Sequence, residues 1–187
     1  MRFSARLGVV VAFMLAAACG GGDSSGPSDP TPAALSVSVG NNQSATVGTA
    51  VAVAPAVLVK DQNGDPIAGV LMSFAVAGGN GTLTGTAATT DASGIAAVGS
   101  WTLPTLVGSY QMTASVADLP VLIVSATATA GAPAALSFVT APSGTATSGA
   151  AFGTQPAVRL EDLFGNVVPQ AGVTVTAAIA SGGGALV

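Results

Sequence analysis

The chain carries one structural unit and part of a second copy of it, and this repeat limits what it can fold into. Pro32-Ala33-Ala34-Leu35-Ser36 returns as Pro133-Ala134-Ala135-Leu136-Ser137, 101 positions later. At the same spacing Ala45-Thr46, Gly48, Pro55-Ala56-Val57, Asp61 and Gly64 meet Ala146-Thr147, Gly149, Pro156-Ala157-Val158, Asp162 and Gly165. Two inserted residues then move the spacing to 103, where Ala68-Gly69-Val70 meets Ala171-Gly172-Val173. Gly79, Gly81 and Leu83 meet Gly182, Gly184 and Leu186 in that register. Colinear matches over such a length mark two copies of one folding unit. The division expected is a complete unit over 33–131 and an incomplete one over 132–187, because Val187 is the partner of Thr84.

Within each copy the patterning is that of strands. Val70, Met72, Phe74 and Val76 alternate with Leu71, Ser73 and Ala75; Val173, Val175, Ala177 and Ile179 alternate with Thr174, Thr176 and Ala178. Tyr110, Met112, Ala114 and Val116 repeat the pattern. A period of two in runs rich in Val and Thr is the signature of a half-buried strand. Turn signals fall between the runs: Asn63-Gly64-Asp65-Pro66, Gly78-Gly79-Asn80-Gly81, Asp91-Ala92-Ser93-Gly94 and Leu119-Pro120. Short strands at this density predict an all-β, antiparallel sandwich with Greek-key connections, in tandem, the second copy truncated.

A different pattern precedes the repeats. Arg2 and Arg6 are followed by an uninterrupted run of small and apolar residues from Leu7 to Ala18, ending at Cys19, the single cysteine. Twelve such residues cover about 18 Å of helix, short of the ~30 Å bilayer core. Their length and flanks fit a secretory signal over 1–18. Cys19 resembles the lipid-modified first residue of a bacterial lipoprotein. The usual leucine of the processing box is displaced, with Ala16 in its place and Leu15 one step earlier, and Ala16-Ala17-Ala18 also suits ordinary signal-peptidase cleavage. Two features favour lipidation at Cys19: a lone thiol is awkward in an oxidising compartment, and residues 19–32 have the Gly/Ser/Pro composition of a flexible tether. The implied partner is a membrane, held through a lipid on Cys19, and the implied location is the cell envelope, at the outer membrane or cell surface.

Composition removes several classes of function. After residues 1–18, only Lys60 and Arg159 stand against eight carboxylates, a formal charge of −6. Two isolated cations cannot neutralise a phosphate track, so nucleic acid is excluded as a partner. The chain has no histidine. Ser-His-Asp, Cys-His and His-containing zinc chemistry are therefore absent by inventory, and the spacing of the carboxylates suggests no paired-carboxylate hydrolysis. No enzyme, no catalytic residue and no cofactor is expected.

One segment carries a family resemblance. Val57-Leu58-Val59-Lys60-Asp61-Gln62-Asn63-Gly64-Asp65-Pro66-Ile67-Ala68-Gly69-Val70 resembles the signature of bacterial immunoglobulin-like domains of the invasin and intimin type. Gly79-Asn80-Gly81-Thr82-Leu83, Thr90-Asp91-Ala92-Ser93-Gly94 and Tyr110-Gln111-Met112-Thr113-Ala114 extend the likeness over nearly all of 33–131. Val158-Arg159-Leu160-Glu161-Asp162-Leu163-Phe164-Gly165-Asn166 is a looser version. The resemblance implies an immunoglobulin-like sandwich in an envelope-anchored stalk or adhesin, with a surface protein or glycan as the possible partner. Two alternatives stand beside it: spacer domains of an exported enzyme whose catalytic domain lies beyond Val187, and a carbohydrate-binding module.

Four smaller patterns have a functional and a plain structural reading. Asp61-x-Asn63-x-Asp65 places oxygen ligands at alternate positions, as a calcium loop does, but Pro66 and Met72 stand where an EF-hand needs Gly and Glu. A turn with Asp capping backbone amides is the plainer reading, so no metal is expected. Trp101 is either core or an exposed platform for glycan stacking. Phe152 and Phe164 are expected in the core or against turns. Asn42-Gln43-Ser44 and Asn80-Gly81-Thr82 match the glycosylation sequon, which is incidental in a bacterial chain.

Overall fold

The computed structural model describes residues 29–181. The expected export signal over 1–18, Cys19 and most of the expected tether over 19–32 lie outside these residues. The described chain forms twelve strands and no helix. In order they are β1 (Pro32–Val39), β2 (Gln43–Thr46), β3 (Ala56–Asp61), β4 (Leu71–Val76), β5 (Thr82–Thr84) and β6 (Ala87–Thr89). Next come β7 (Ile95–Ala97), β8 (Ser100–Thr102), β9 (Gly108–Ser115) and β10 (Leu122–Thr129). The last two, β11 (Ala135–Thr140) and β12 (Ala157–Glu161), belong to the second copy.

The first copy is a sandwich of two main sheets, β1-β3-β7 and β2-β10-β9-β4-β6, with a small β5-β8 ribbon. The alternating runs become strands with the inward faces the sequence predicts. Met72 and Phe74 of β4 and Met112 and Ala114 of β9 are buried, while Leu71 points out. Between the sheets they meet Val57 and Val59 of β3, Val124 of β10 and Trp101 of β8 in one core. Tyr110, at the start of β9, donates its hydroxyl to the Leu106 carbonyl at 2.8 Å. This is the tyrosine corner of immunoglobulin-type sandwiches, with the hydroxyl tied to backbone a few residues upstream.

Pairing is antiparallel with one exception: β2 runs parallel to β10, Gln43 opposite Ala126 and Thr46 opposite Thr129. The chain crosses from one sheet to the other between β1 and β2, and local residues make the crossing. Gly40 has φ +83°, and a Cβ there would lie 2.7 Å from the Cα of Pro55, so only glycine fits. Asn41 accepts the Ser125 N–H on its Oδ1 at 2.9 Å. The Gln43 amide ties the far side, donating to the carbonyls of Gly40 and Val53 and accepting the Val53 N–H.

The chain enters this sandwich at one pole and leaves at the other. Pro32 pairs with Asp61, and Ala33 to Leu35 lie beside Leu119 to Leu122, where β10 begins. The far end of β10, Thr129, pairs with Thr46, and Gly131 follows it.

The second copy differs from its sequence pattern. β11 and β12 pair in the same register type as β1 and β3, bulge included. The alternating run from Val173 to Ile179, however, forms no strand. In the first copy the equivalent β4 lies between β9 and β6; here no counterpart of either is present among the described residues, so its backbone groups have no ladder to join. Every buried hydrophobic side chain among the described residues falls between Val47 and Ala128. Leu136, Phe138, Val175 and Ile179 of the second copy are solvent-exposed.

Candidate functional site

One local motif recurs three times and organises the surface of interest. At Asp61, Asp91 and Asp162 a carboxylate oxygen accepts two backbone N–H groups, those of the second and fourth residues that follow. For Asp61 these are Asn63 and Asp65, at 2.8 and 2.9 Å. For Asp91 they are Ser93 and Ile95, at 2.8 and 3.0 Å, and for Asp162 they are Phe164 and Asn166, both at 2.9 Å. The glycine in the fourth place, Gly64, Gly94 or Gly165, has positive φ and donates its N–H to the carbonyl of the leading aspartate. An aspartate that folds back on its own loop is the chemistry expected of an Asx turn. Gly94 also meets a steric limit, since a Cβ there would approach the Val59 carbonyl oxygen to 2.8 Å.

Electrostatics follow the hydrogen bonds. The amide of Asp65, followed by those of Asn63 and Gly64, lowers the pKa of the Asp61 carboxyl. Burial pushes Asp162 upward, but the N–H groups of Gly131, Asn166 and Phe164 and the Asn166 side chain outweigh it and hold the carboxyl at about 2. The hydroxyl of Ser137 in β11 and the guanidinium of Arg159 in β12 lower Glu161, with Arg159 Nη2 at 2.8 Å from Glu161 Oε1.

Of the residues singled out in the sequence, Asp61, Asn63 and Asp65 do share one turn. Asp61 Oδ1 is taken by the Asn63 and Asp65 amides, and Oδ2 faces Asn63 Nδ2 at 3.4 Å. Among the described residues no group of three His, Cys, Asp or Glu side chains is placed to hold a metal ion. Trp101 is fully buried and its indole N–H donates to the Asn80 carbonyl at 3.0 Å. This overturns the exposed-platform reading: β8 pairs with β5 and turns the ring into the core. Phe152 is exposed rather than in a core, because the described residues of the second copy form no opposing layer to receive it. Phe164 is half-exposed, its ring near Gly48 of the first copy. Cys19, the residue expected to carry lipid, lies outside the described residues. No helix among the described residues is long and apolar enough to cross a membrane.

Asn166 was not singled out by its sequence pattern, and its side chain hydrogen-bonds across the two copies. It is 4% exposed; its Nδ2 donates to the Thr105 carbonyl at 2.8 Å and its Oδ1 accepts the Val107 N–H at 3.0 Å. The available signal was the alignment itself, which sets Asn166 opposite Asp65 and Phe164 opposite Asn63.

Among the structural neighbours of the chain are domains of intimin, of invasin and of an Escherichia coli adhesin. No family model matches the sequence, and no curated protein sequence is significantly similar to it. The D0-D1 domain of intimin is 22% identical with a TM-score of 0.39, over 52% of this chain and 45% of that one. Invasin, described as a bacterial integrin-binding protein, is 24% identical with a TM-score of 0.43, over 75% of this chain and 28% of that one. FdeC, described as an Escherichia coli adhesin, is 19% identical with a TM-score of 0.44, over 71% of this chain and 41% of that one. The chain thus spans less than half the length of each.

Proposed function

We propose that this chain is a non-catalytic cell-envelope lipoprotein, anchored by lipid on Cys19 after removal of residues 1–18, that displays tandem immunoglobulin-like units over 33–131 and 132–187 as a surface stalk or adhesin-type module. The observation that carries the reading is the path of the backbone. The first copy is entered at the Pro32–Asp61 pole and left at the Thr129–Thr46 pole, so each further unit adds its length to the last. An anchor, a tether of residues 19–32 spanning about 20 Å and pole-to-pole units together hold a terminal surface away from a membrane. The residue inventory points the same way: no histidine, one lysine and one arginine after the export segment leave little with which to build an active site.

The test is metabolic labelling. Radiolabelled palmitate is expected to enter the wild-type protein, and a Cys19→Ala variant to lose both the label and the membrane fraction. Wild-type protein found soluble with an unmodified cysteine would defeat the anchor.

A further inference from the structure

The second copy has only two buried residues among those described, Asp162 and Asn166. Both are polar, and they are 3% and 4% exposed although Leu163 and Phe164 between them are 80% and 51% exposed. Buried polar side chains require partners, and the first copy supplies several of them. Asn166 spans Thr105 and Val107 with its donor and its acceptor. It also donates to Asp162 Oδ2 at 2.9 Å. Asp162 Oδ2 in turn accepts the N–H of Gly131, the residue that connects the copies, at 2.9 Å. A Cβ placed on Gly48 would lie 3.6 Å from Phe164 Cζ and from Thr105 Cγ2, so the phenyl ring rests against the same pole.

We propose that the pole of the first copy formed by Gly48, Thr105, Val107 and Gly131 is a docking surface for the Asp-x-Phe-Gly-Asn turn of a following unit, and that the fifth residue of that turn decides whether a unit docks. The first copy offers a contrast: its own turn, Asp61 to Asp65, has the same backbone hydrogen bonds to the leading aspartate but carries Asp65 in the fifth place and Asn63 in the third, and there Asn63 Nδ2 rather than the fifth residue faces the carboxylate. An ionised aspartate has no N–H to offer. Set against a Thr105-type carbonyl it would bring two acceptors together in a site where each needs a donor, the costly arrangement for buried polar atoms. Asn166 therefore docks, and an aspartate in its place would not make this contact. At the Asp61 turn, Gln62 instead accepts the Thr31 N–H and hydroxyl at 3.0 and 3.1 Å. The inference rests on the tandem-unit part of the proposed function and is independent of lipidation, so palmitate labelling and the experiment below can fail separately.

The test is Asn166→Asp combined with Phe164→Asn in the full chain, a pair that copies Asn63 and Asp65 together and so reproduces the Asp61 turn, in which Asn63 Nδ2 faces the leading carboxylate. By nuclear magnetic resonance, the Val107 amide should exchange about 10-fold faster or more, and the two copies should cease to share one alignment tensor. The amides of β9 and β10, in the first copy, should keep their protection. Phe164→Asn preserves both Asn166 bonds and should leave Val107 protected; Asp65→Asn should change neither readout. Unchanged Val107 exchange with a shared tensor in the paired variant would overturn the proposal. So would loss of β9 and β10 protection together with that of Val107, which would make the faster exchange an unfolding of the first copy. Exposure of Val107 by Phe164→Asn to the same degree would deny the fifth residue its role.

Discussion

Trp101 shows how one residue is settled by its surroundings. Its ring is fully buried among Met72, Met112 and Val57 of the core, and its N–H is satisfied by Asn80. Trp101→Ala should cost about 3–5 kcal/mol, the range for emptying a large aromatic site, read as a lower urea midpoint for the first copy. Loss of glycan binding with unchanged stability would restore the platform reading. Asp162 supports a second prediction at this scale. Its carboxyl is held at about 2 against an ordinary 3.8, so the folded form binds its proton more weakly than the unfolded chain does. The stabilisation is therefore complete above 3.8 and is lost as the pH falls through about 2. The Gly131 amide proton, hydrogen-bonded to that carboxylate, should titrate with a midpoint near the lower value; a midpoint at the ordinary one would show that the carboxylate is not held.

At the scale of elements, the three Asx turns are legible in sequence as Asp-x-x-Gly, and the structure shows where their oxygens go. In the Asp61 turn, Oδ1 accepts two backbone N–H groups, so calcium binding would have to compete with those bonds. Millimolar calcium is expected to leave the melting temperature of the protein unchanged, whereas a rise of several degrees would mean binding to the folded state. The strands β4 and β9 were likewise legible, because a period of two with Met72, Phe74, Met112 and Ala114 on one face says which side is inward. The run from Val173 to Ile179 has the same period and forms no strand. Alternation records which face could be buried, while a strand also needs a neighbour to complete its hydrogen bonds. The parallel β2–β10 pair was missed for a related reason. Four residues, Gln43–Thr46, are too few to show a pattern, and their partner is eighty residues away in the chain.

At the scale of the whole molecule, the two copies differ in what covers their inner faces. A polypeptide of residues 33–131 should unfold cooperatively, and residues 132–187 alone should be disordered or aggregated. Val173, Val175 and Ile179 are exposed in the second copy. Leaving three such side chains wet forfeits on the order of 5–8 kcal/mol, at about 1.5–3 each, comparable with the stability of a whole domain. The open edges of β11 and β12 add a route to aggregation. Well-dispersed amide resonances from isolated 132–187 would contradict this and move the boundary between the copies.

The amino-acid sequence determined by itself the all-β class, the repeat, the faces of the main strands and the turns between them. Each of these follows from interactions within a few residues or from comparison of the chain with itself. Only the tertiary structure decided the inward Trp101, the sheet-switching β2 and the part Asn166 plays. All three depend on atoms brought together from distant positions: Asn166 finds Thr105 and Val107 about sixty residues back along the chain. An asparagine in a turn looks the same in sequence whether its amide faces water or a carbonyl of the preceding unit, and burial is what separates the two.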